Sequence, residues 1–160
     1  RPREALGWRG GRVLSCGPRS THAATRVLAQ RTVAPRAVLI GNAAQTIHPI
    51  GAQGFNLGLR DALTLAELIA DARIADAQAD CGAPALLDAY ASRRSEDRER
   101  TVRFSDGLAR LAPNDAPLLP PLRSLGLFAV DRMASAQAYL VGGAMGYRGD
   151  VPALCRSPRA

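Results

Sequence analysis

Apolar and polar positions change rhythm twice near the middle of the chain. Residues 37–40, Ala37-Val38-Leu39-Ile40, form a short apolar run that does not alternate and ends at Gly41. Such a run predicts a strand buried on both faces of a parallel sheet. A loop of small residues and prolines follows, and over 54–74 the spacing changes to that of a helix. Phe55, Leu59, Ala62, Leu63, Ala66, Ile69 and Ala70 recur at intervals of three and four, which predicts a packed face, with Arg60, Glu67 and Asp71 off it. The order is strand, loop, helix.

The flanks are read from punctuation and periodicity. Residues 12–16 read as a short strand, Gly17-Pro18 as a turn and 21–30 as a second extended piece. Pro35-Arg36 interrupts before the Val38 strand. Residues 76–82 read as a linker, and Pro84 suits the first turn of a helix running towards Ala112. Its core candidates are Leu86, Leu87, Tyr90, Val102, Phe104, Leu108 and Leu111, and Glu96 to Arg100 and Glu99 to Arg103 are i,i+4 pairs in the favourable orientation. A turn over 112–117 and the Pro120-Pro121 pair precede a last helix over 122–141, carrying Leu125, Phe128, Ala129, Met133 and Leu140. Gly142, Gly143 and Gly146 loosen its end. No internal repeat is present.

The loop between strand and helix holds the chemistry. Sheets of this kind bind ligands beyond the carboxyl ends of their strands. Gly41-Asn42-Ala43-Ala44 occupies that place, its small side chains letting a ligand approach the backbone, and Asn42 both donates and accepts. Gly51, Gly54 and Gly58 flank Gln53 and Asn56 where helical spacing begins, so the unpaired N–H groups of a helix start lie open. Phosphate, carboxylate or another electron-rich group is favoured there. His48 precedes Pro49, which holds the loop extended; it is read as a loop residue whose backbone matters more than its ring, and His22 as structural.

Charge and cysteine content narrow the classes. The formal net charge is +7 and every basic residue is Arg, yet the arginines are scattered. The densest group, over 93–103, is interleaved with Glu96, Asp97 and Glu99, a pattern read as a solvated helix face. With no aromatic platform beside it, nucleic-acid binding is set aside. Cys16, Cys81 and Cys155 lack metal-site or disulfide spacing and fit a reducing compartment. No apolar run reaches the roughly twenty residues needed to cross a bilayer.

Residues 38–61 resemble the second flavin-binding motif of the FAD-dependent aromatic hydroxylases, G-D-A-A-H followed by a proline, a glycine-rich turn and G-x-N. Gly41, Ala43, Ala44, Pro49, Gly51, Gln53, Gly54 and Asn56 stand at matching places. Asn42 replaces the usual Asp and Gln45 the usual His, and both are similar to the ubiquinone-biosynthesis branch, the 2-polyprenyl-6-methoxyphenol hydroxylase family. The resemblance implies an α/β chain: a fragment of an FAD-binding Rossmann-like fold, with the end of a substrate-domain β-sheet in 1–36, strand, flavin loop and helix in 37–82, C-terminal helices in 83–146 and a basic tail in 147–160. It implies FAD bound by Gly41, Asn42, Ala43, Pro49, Gly51, Gln53, Gly54, Phe55 and Asn56. Asn42 would meet the sugar-like chain, Pro49 the ring, and the amides of 54–56 the pyrimidine carbonyl.

The same resemblance implies NAD(P)H as reductant, dioxygen as co-substrate and a polyprenyl phenol as substrate, with no catalytic side chain and no metal assigned to this stretch. A longer enzyme is expected, of which this is the C-terminal part, since no G-x-G-x-x-G follows a strand. The isolated chain is then expected to bind FAD weakly or not at all. The expected location is cytoplasmic or peripheral to the inner face of a membrane, with the basic C-terminal region docking on a partner or an anionic surface. Two alternatives stand beside this reading. One is another flavoprotein of prenyl-chain metabolism, an epoxidase or reductase; the other is a non-catalytic helical scaffold module.

Overall fold

The computed structural model describes residues 15, 17–23, 25–111, 116, 119–145 and 149–156. The expected strand over 12–16 and turn over 112–117 fall almost wholly outside the described residues. Short strands lead into long helices. β1 (Val27–Leu28) pairs antiparallel with β4 (Gln45–Thr46), Val27 opposite Thr46 and Leu28 opposite Gln45. β2 (Val33–Ala34) pairs antiparallel with β3 (Ala37–Val38) across the Pro35-Arg36 turn, where Arg36 takes a left-handed φ of 59°.

The apolar run 37–40 therefore departs from the expected buried parallel strand. Ala37 and Val38 pair on one side, where Leu39 N–H also donates to Thr32 O at 2.8 Å, and Leu39 and Ile40 are 39% and 40% exposed. Apolarity signals burial only when strands flank both edges and helices cover both faces; among the described residues the run has one hairpin partner. Ile40 instead forms part of a cavity wall.

Two helices dominate. α1 (Gln53–Ala75) and α2 (Pro84–Leu111) lie within a residue of the expected bounds, and they pack against each other. Pro84 starts α2 where its missing N–H is not needed. The linker between them is held by its own carboxylates: Asp76 accepts from Gln78 N–H at 2.9 Å and Asp80 from Gly82 N–H at 2.9 Å. The single expected helix over 122–141 is two, α3 (Leu119–Arg132) and α4 (Ala134–Ala144), broken at Met133, whose φ of −110° and ψ of 100° are extended. Pro120 and Pro121 sit inside the first turn of α3 rather than ahead of it, where a ring is tolerated for the same reason as at Pro84.

The packed face of α1 is the opposite of the expected one. Phe55 is 79% exposed and Leu59 47%, whereas Gln53, Leu57, Arg60, Asp61 and Thr64 are buried. On α2, Leu87, Tyr90 and Val102 are buried as expected, but so are Arg94, Asp97, Thr101 and Ser105; Phe104 and Leu111 are exposed. The seam between the helices is thus ionic. Arg60 Nε donates to Asp97 at 2.7 Å, Arg94 Nη2 donates to Asp97 at 2.8 Å, and Arg94 Nε donates to Asp61 at 2.8 Å. Arg100 closes the cluster from the half-buried side, 2.9 Å from Asp97. Paired, hydrogen-bonded charges can be buried where single ones cannot, so polar positions at helical spacing here mark the inside. The Glu96–Arg100 and Glu99–Arg103 pairs form as expected, but the group over 93–103 is solvated on one side only.

Arg98 ties the strands to the helices. Its Nη2 donates to Ala29 O at 2.8 Å and Ala44 O at 3.0 Å, the carbonyls at the ends of β1 and β4. Arg98→Met is expected to cost about 1.5–3 kcal/mol, the range for a charged hydrogen bond, seen as a fall of several degrees in Tm of the whole protein that carries this chain. The described part of the tail returns to the helices as well: Asp150 accepts from Arg93 Nε at 2.6 Å, and Ala153 N–H donates to Glu67 at 2.9 Å.

Candidate functional site

The segment between β3 and α1 is built as two tight turns around a hollow. The first turn, Gly41–Ala43, begins at Gly41 with a left-handed φ of 57° and closes with Ala44 N–H on Gly41 O at 3.0 Å. Gly58 of α1 comes up against it, and a Cβ at Gly58 would lie 3.0 Å from Gly41 Cα. The second turn, Pro49–Gly51, is capped by His48, whose Nδ1 accepts from Ile50 N–H at 3.3 Å while its carbonyl accepts from Ser105 Oγ at 2.9 Å. Both ring and backbone of His48 are therefore structural. Ala52, at φ 50° and ψ 26°, then swings the chain into α1, which starts with no side-chain cap. The first-turn amides of a helix of 23 residues carry partial positive charge, and no side chain competes for them.

The hollow is a cavity of about 850 Å3, within the usual size range for small-molecule sites. Gly41, Asn42, Pro49, Gly54 and Phe55 of the nine expected residues line it, joined by Gly58, one of the glycines expected to leave the helix start open, and by Ile40, Ile47, Ala52 and Leu59, which sequence reasoning did not place there. The exposed side of α1 is hence a cavity wall, and its apolar Phe55 and Leu59 belong to that wall among the described residues. Ala43, Gly51, Gln53 and Asn56 do not line it. Ala43 and Asn56 are exposed, and Gly51 sits against Phe104 and Leu108. Gln53 is buried beside a separate small cavity of about 70 Å3, its Oε1 meeting no partner among the described residues. The Gly54-x-x-x-Gly58 spacing was the available sign that this helix face meets backbone or ligand closely.

Charges stand behind the wall rather than on it. No side chain lining the cavity titrates near neutral pH. Asp61, one turn after Gly58, accepts on Oδ2 from Gly41 N–H at 3.1 Å and from Gln45 Nε2 at 2.8 Å. Gln45, replacing the usual His of the resembling motif, is thereby a buried structural donor. Burial by itself would raise the pKa of Asp97, but the bonds and charge of Arg60 and then Arg94 outweigh it and hold the carboxyl below its ordinary range. Burial likewise opposes the charge on Arg94, and Asp61 and Asp97 reverse that, raising its pKa. Tyr90 is pushed up by burial and then by Asp61, against Arg94 and Arg98, so its hydroxyl stays protonated and donates to Leu39 O at 3.3 Å.

The sequence as a whole is similar to known proteins. The model of the family described as the FAD binding domain matches residues 2–105. The chain belongs to that FAD-binding family. Among curated relatives, a ubiquinone hydroxylase, UbiL, of Rhodospirillum rubrum is 40% identical over 142 residues, covering 88% of this chain and 32% of the relative. The 3-demethoxyubiquinol 3-hydroxylase of Escherichia coli is 37% identical, covering 68% and 27%, and the human mitochondrial ubiquinone biosynthesis monooxygenase COQ6 is 33% identical, covering 64% and 21%. The chain thus spans about a third or less of the length of these relatives. As an FAD-binding chain it is α/β in a helix-rich form, with its strands in short antiparallel pairs among the described residues. The cavity suits that cofactor: Gly54 and Gly58 leave the wall low, the amides of the α1 start are uncapped, and apolar Ile47 and Pro49 flank them.

Proposed function

We propose that this chain supplies one wall of the FAD site in a flavin-dependent monooxygenase that hydroxylates a polyprenyl phenol on the way to ubiquinone, with NAD(P)H as reductant and dioxygen as co-substrate. One observation carries the reading: Gly41, Asn42, Pro49, Gly54 and Phe55 converge on a single cavity at the uncapped start of α1. When bound, FAD supplies the redox and oxygen chemistry, and the protein supplies place and field. Asn42 is the polar side chain on the wall and would hydrogen-bond the ribityl or ribose part, as amide to hydroxyl without charge assistance. Pro49, with φ fixed by its ring, offers a flat apolar contact that stays in place. The amides at the head of α1 would hold the electron-rich side of the cofactor and favour negative charge there. Ile40, Ile47 and Leu59 keep water from that edge.

The names of the relatives support hydroxylation of a ubiquinone precursor over epoxidation or reduction of a prenyl chain. A Rossmann-like frame is proposed for the whole protein on the family match. Among the described residues no helix is long and apolar enough to cross a membrane; a cytoplasmic or membrane-peripheral placement is proposed with the lipidic substrate in view.

Gly54→Val tests the cavity apart from the fold. A Cβ at Gly54 meets only Ile47 Cγ1 at 3.8 Å, an ordinary contact, so the added bulk projects where the ligand is proposed to lie. In the whole protein the variant is expected to keep its Tm within a few degrees and to raise the FAD dissociation constant about tenfold or more, a difference near 1.4 kcal/mol. Bound flavin measured by absorbance checks this, and wild-type flavin content in Gly54→Val would count against the assignment.

A further inference from the structure

Asp61 does not line the large cavity, yet it governs the part of the wall that carries Asn42. The turn from Gly41 to Gln45 has its two ends on one atom: Asp61 Oδ2 accepts from Gly41 N–H at 3.1 Å and from Gln45 Nε2 at 2.8 Å. Oδ1 is taken from behind by Arg94 Nε at 2.8 Å. Arg94 in turn holds Asp97 at 2.8 Å, and Asp97 holds Arg60 at 2.7 Å. The carboxylate cannot rotate without breaking bonds on both of its oxygens. Asp61, Arg94, Asp97 and Gln45 are all buried, and Asp61, Arg94 and Gln45 border a separate cavity of about 300 Å3.

We propose that Asp61 is a positioning residue for the cofactor turn. The carboxylate sets how far Asn42 and the Gly41 backbone stand out into the cavity, and Arg94, bonded to its other oxygen, fixes the carboxylate, while Asp97 and Arg60 carry the ladder on away from the turn. The inference rests on the flavin reading given above. The chemistry requires an ionised acid at this place: three donors converge on it, and a carboxylate accepts them all, whereas an amide offers one oxygen and turns its own N–H2 towards a donor. Charge-assisted bonds are also roughly twice as strong as neutral ones, so the turn is held with little play. The left-handed Gly41 has its N–H directed inward, and the Asp61 oxygen satisfies it.

The test uses the whole flavoprotein that carries this chain and compares two variants of the ladder. Asp61→Asn disturbs the end that touches the turn; Arg60→Met disturbs the far end, which touches neither turn nor cavity. Both are expected to lower Tm. At a temperature where both remain folded, Asp61→Asn is expected to raise the FAD dissociation constant about tenfold or more and, at saturating FAD, to shift the visible absorption and circular dichroism bands of the bound flavin. Arg60→Met is expected to leave the constant within about twofold and the spectrum unmoved. Equal effects in the two variants, scaling with lost Tm, would overturn the inference, as would wild-type affinity and spectrum in Asp61→Asn. If Asp61→Asn does not fold, Gln45→Met decides: it removes one of the two bonds from the turn, and an unchanged dissociation constant overturns the proposal. Gly54→Val separates the levels. Flavin retained in that variant sinks the flavin reading itself, while flavin lost there and kept unaltered in Asp61→Asn sinks only the positioning role.

Discussion

Gly58→Val is expected to release the flavin and destabilise the protein together, whereas Gly58→Ala should release flavin with little change in stability. The added Cβ lies 3.0 Å from Gly41 Cα, a backbone atom with no rotamer to escape into, so the turn must move outward. Overpacking of this kind costs about 1–3 kcal/mol. Alanine recovers up to about 1 kcal/mol by replacing glycine inside a helix, which offsets much of the strain; valine recovers less and adds bulk. The displaced turn carries Asn42, so both variants should weaken FAD by about tenfold or more. Gly107→Ala on α2, where a new Cβ meets nothing within 4 Å, is the control. It should gain up to about 1 kcal/mol and leave flavin binding alone. Flavin titration and thermal denaturation of the three variants check the ordering.

Asp97→Asn is expected to produce the largest loss of stability, about 3–5 kcal/mol, as for a buried ion pair deprived of one partner. Arg60, Arg94 and Arg100 all point at this carboxylate, and without its charge Arg94 keeps Asp61 and Arg100 keeps Glu96, while Arg60 loses the carboxylate it faces. The effect has a definite pH sign. The folded pKa of Asp97 lies below its ordinary value because its arginines outweigh burial, so its contribution is fully present above the unfolded value near 3.9 and disappears as pH falls through the folded value. Wild-type stability should drop steeply on acidification below about pH 4, and the variant, already weakened at neutral pH, should show a flatter acid limb. Denaturant unfolding at neutral pH and at pH 3 measures both.

The long helices were legible because their cues are local. Three-and-four spacing after Gly54 and Pro84 at a first turn are properties of neighbouring residues, and α1 and α2 begin and end within a residue of where those cues put them. Five of the expected contact residues meet at the cavity for a similar reason, since small residues between strand and helix leave room wherever that order occurs. Which side of α1 faces inward was not legible. Hydrophobic periodicity assigns burial to Phe55 and Leu59, but these line a cavity wall, and the inner face pairs Arg60 with Asp97 across 37 residues of sequence. Nothing near Arg60 announces that partner. The neighbours of residues 37–40 are illegible for the complementary reason: an apolar run describes what a strand wants to touch, and the contacts depend on which neighbours are there. The break at Met133 had no cue of its own, because Met is an ordinary helix former.

The ionic seam also determines how this protein can vary. An oily helix contact absorbs single exchanges of similar volume, one at a time. Arg60, Asp61, Arg94 and Asp97 share acceptors and donors, so the effect of changing one depends on the state of the others and single effects will not add. In a library randomised over both helices, survivors should exchange Leu57 and Leu87 singly for apolar residues of similar volume and admit changes at the four charged positions almost only as matched sets.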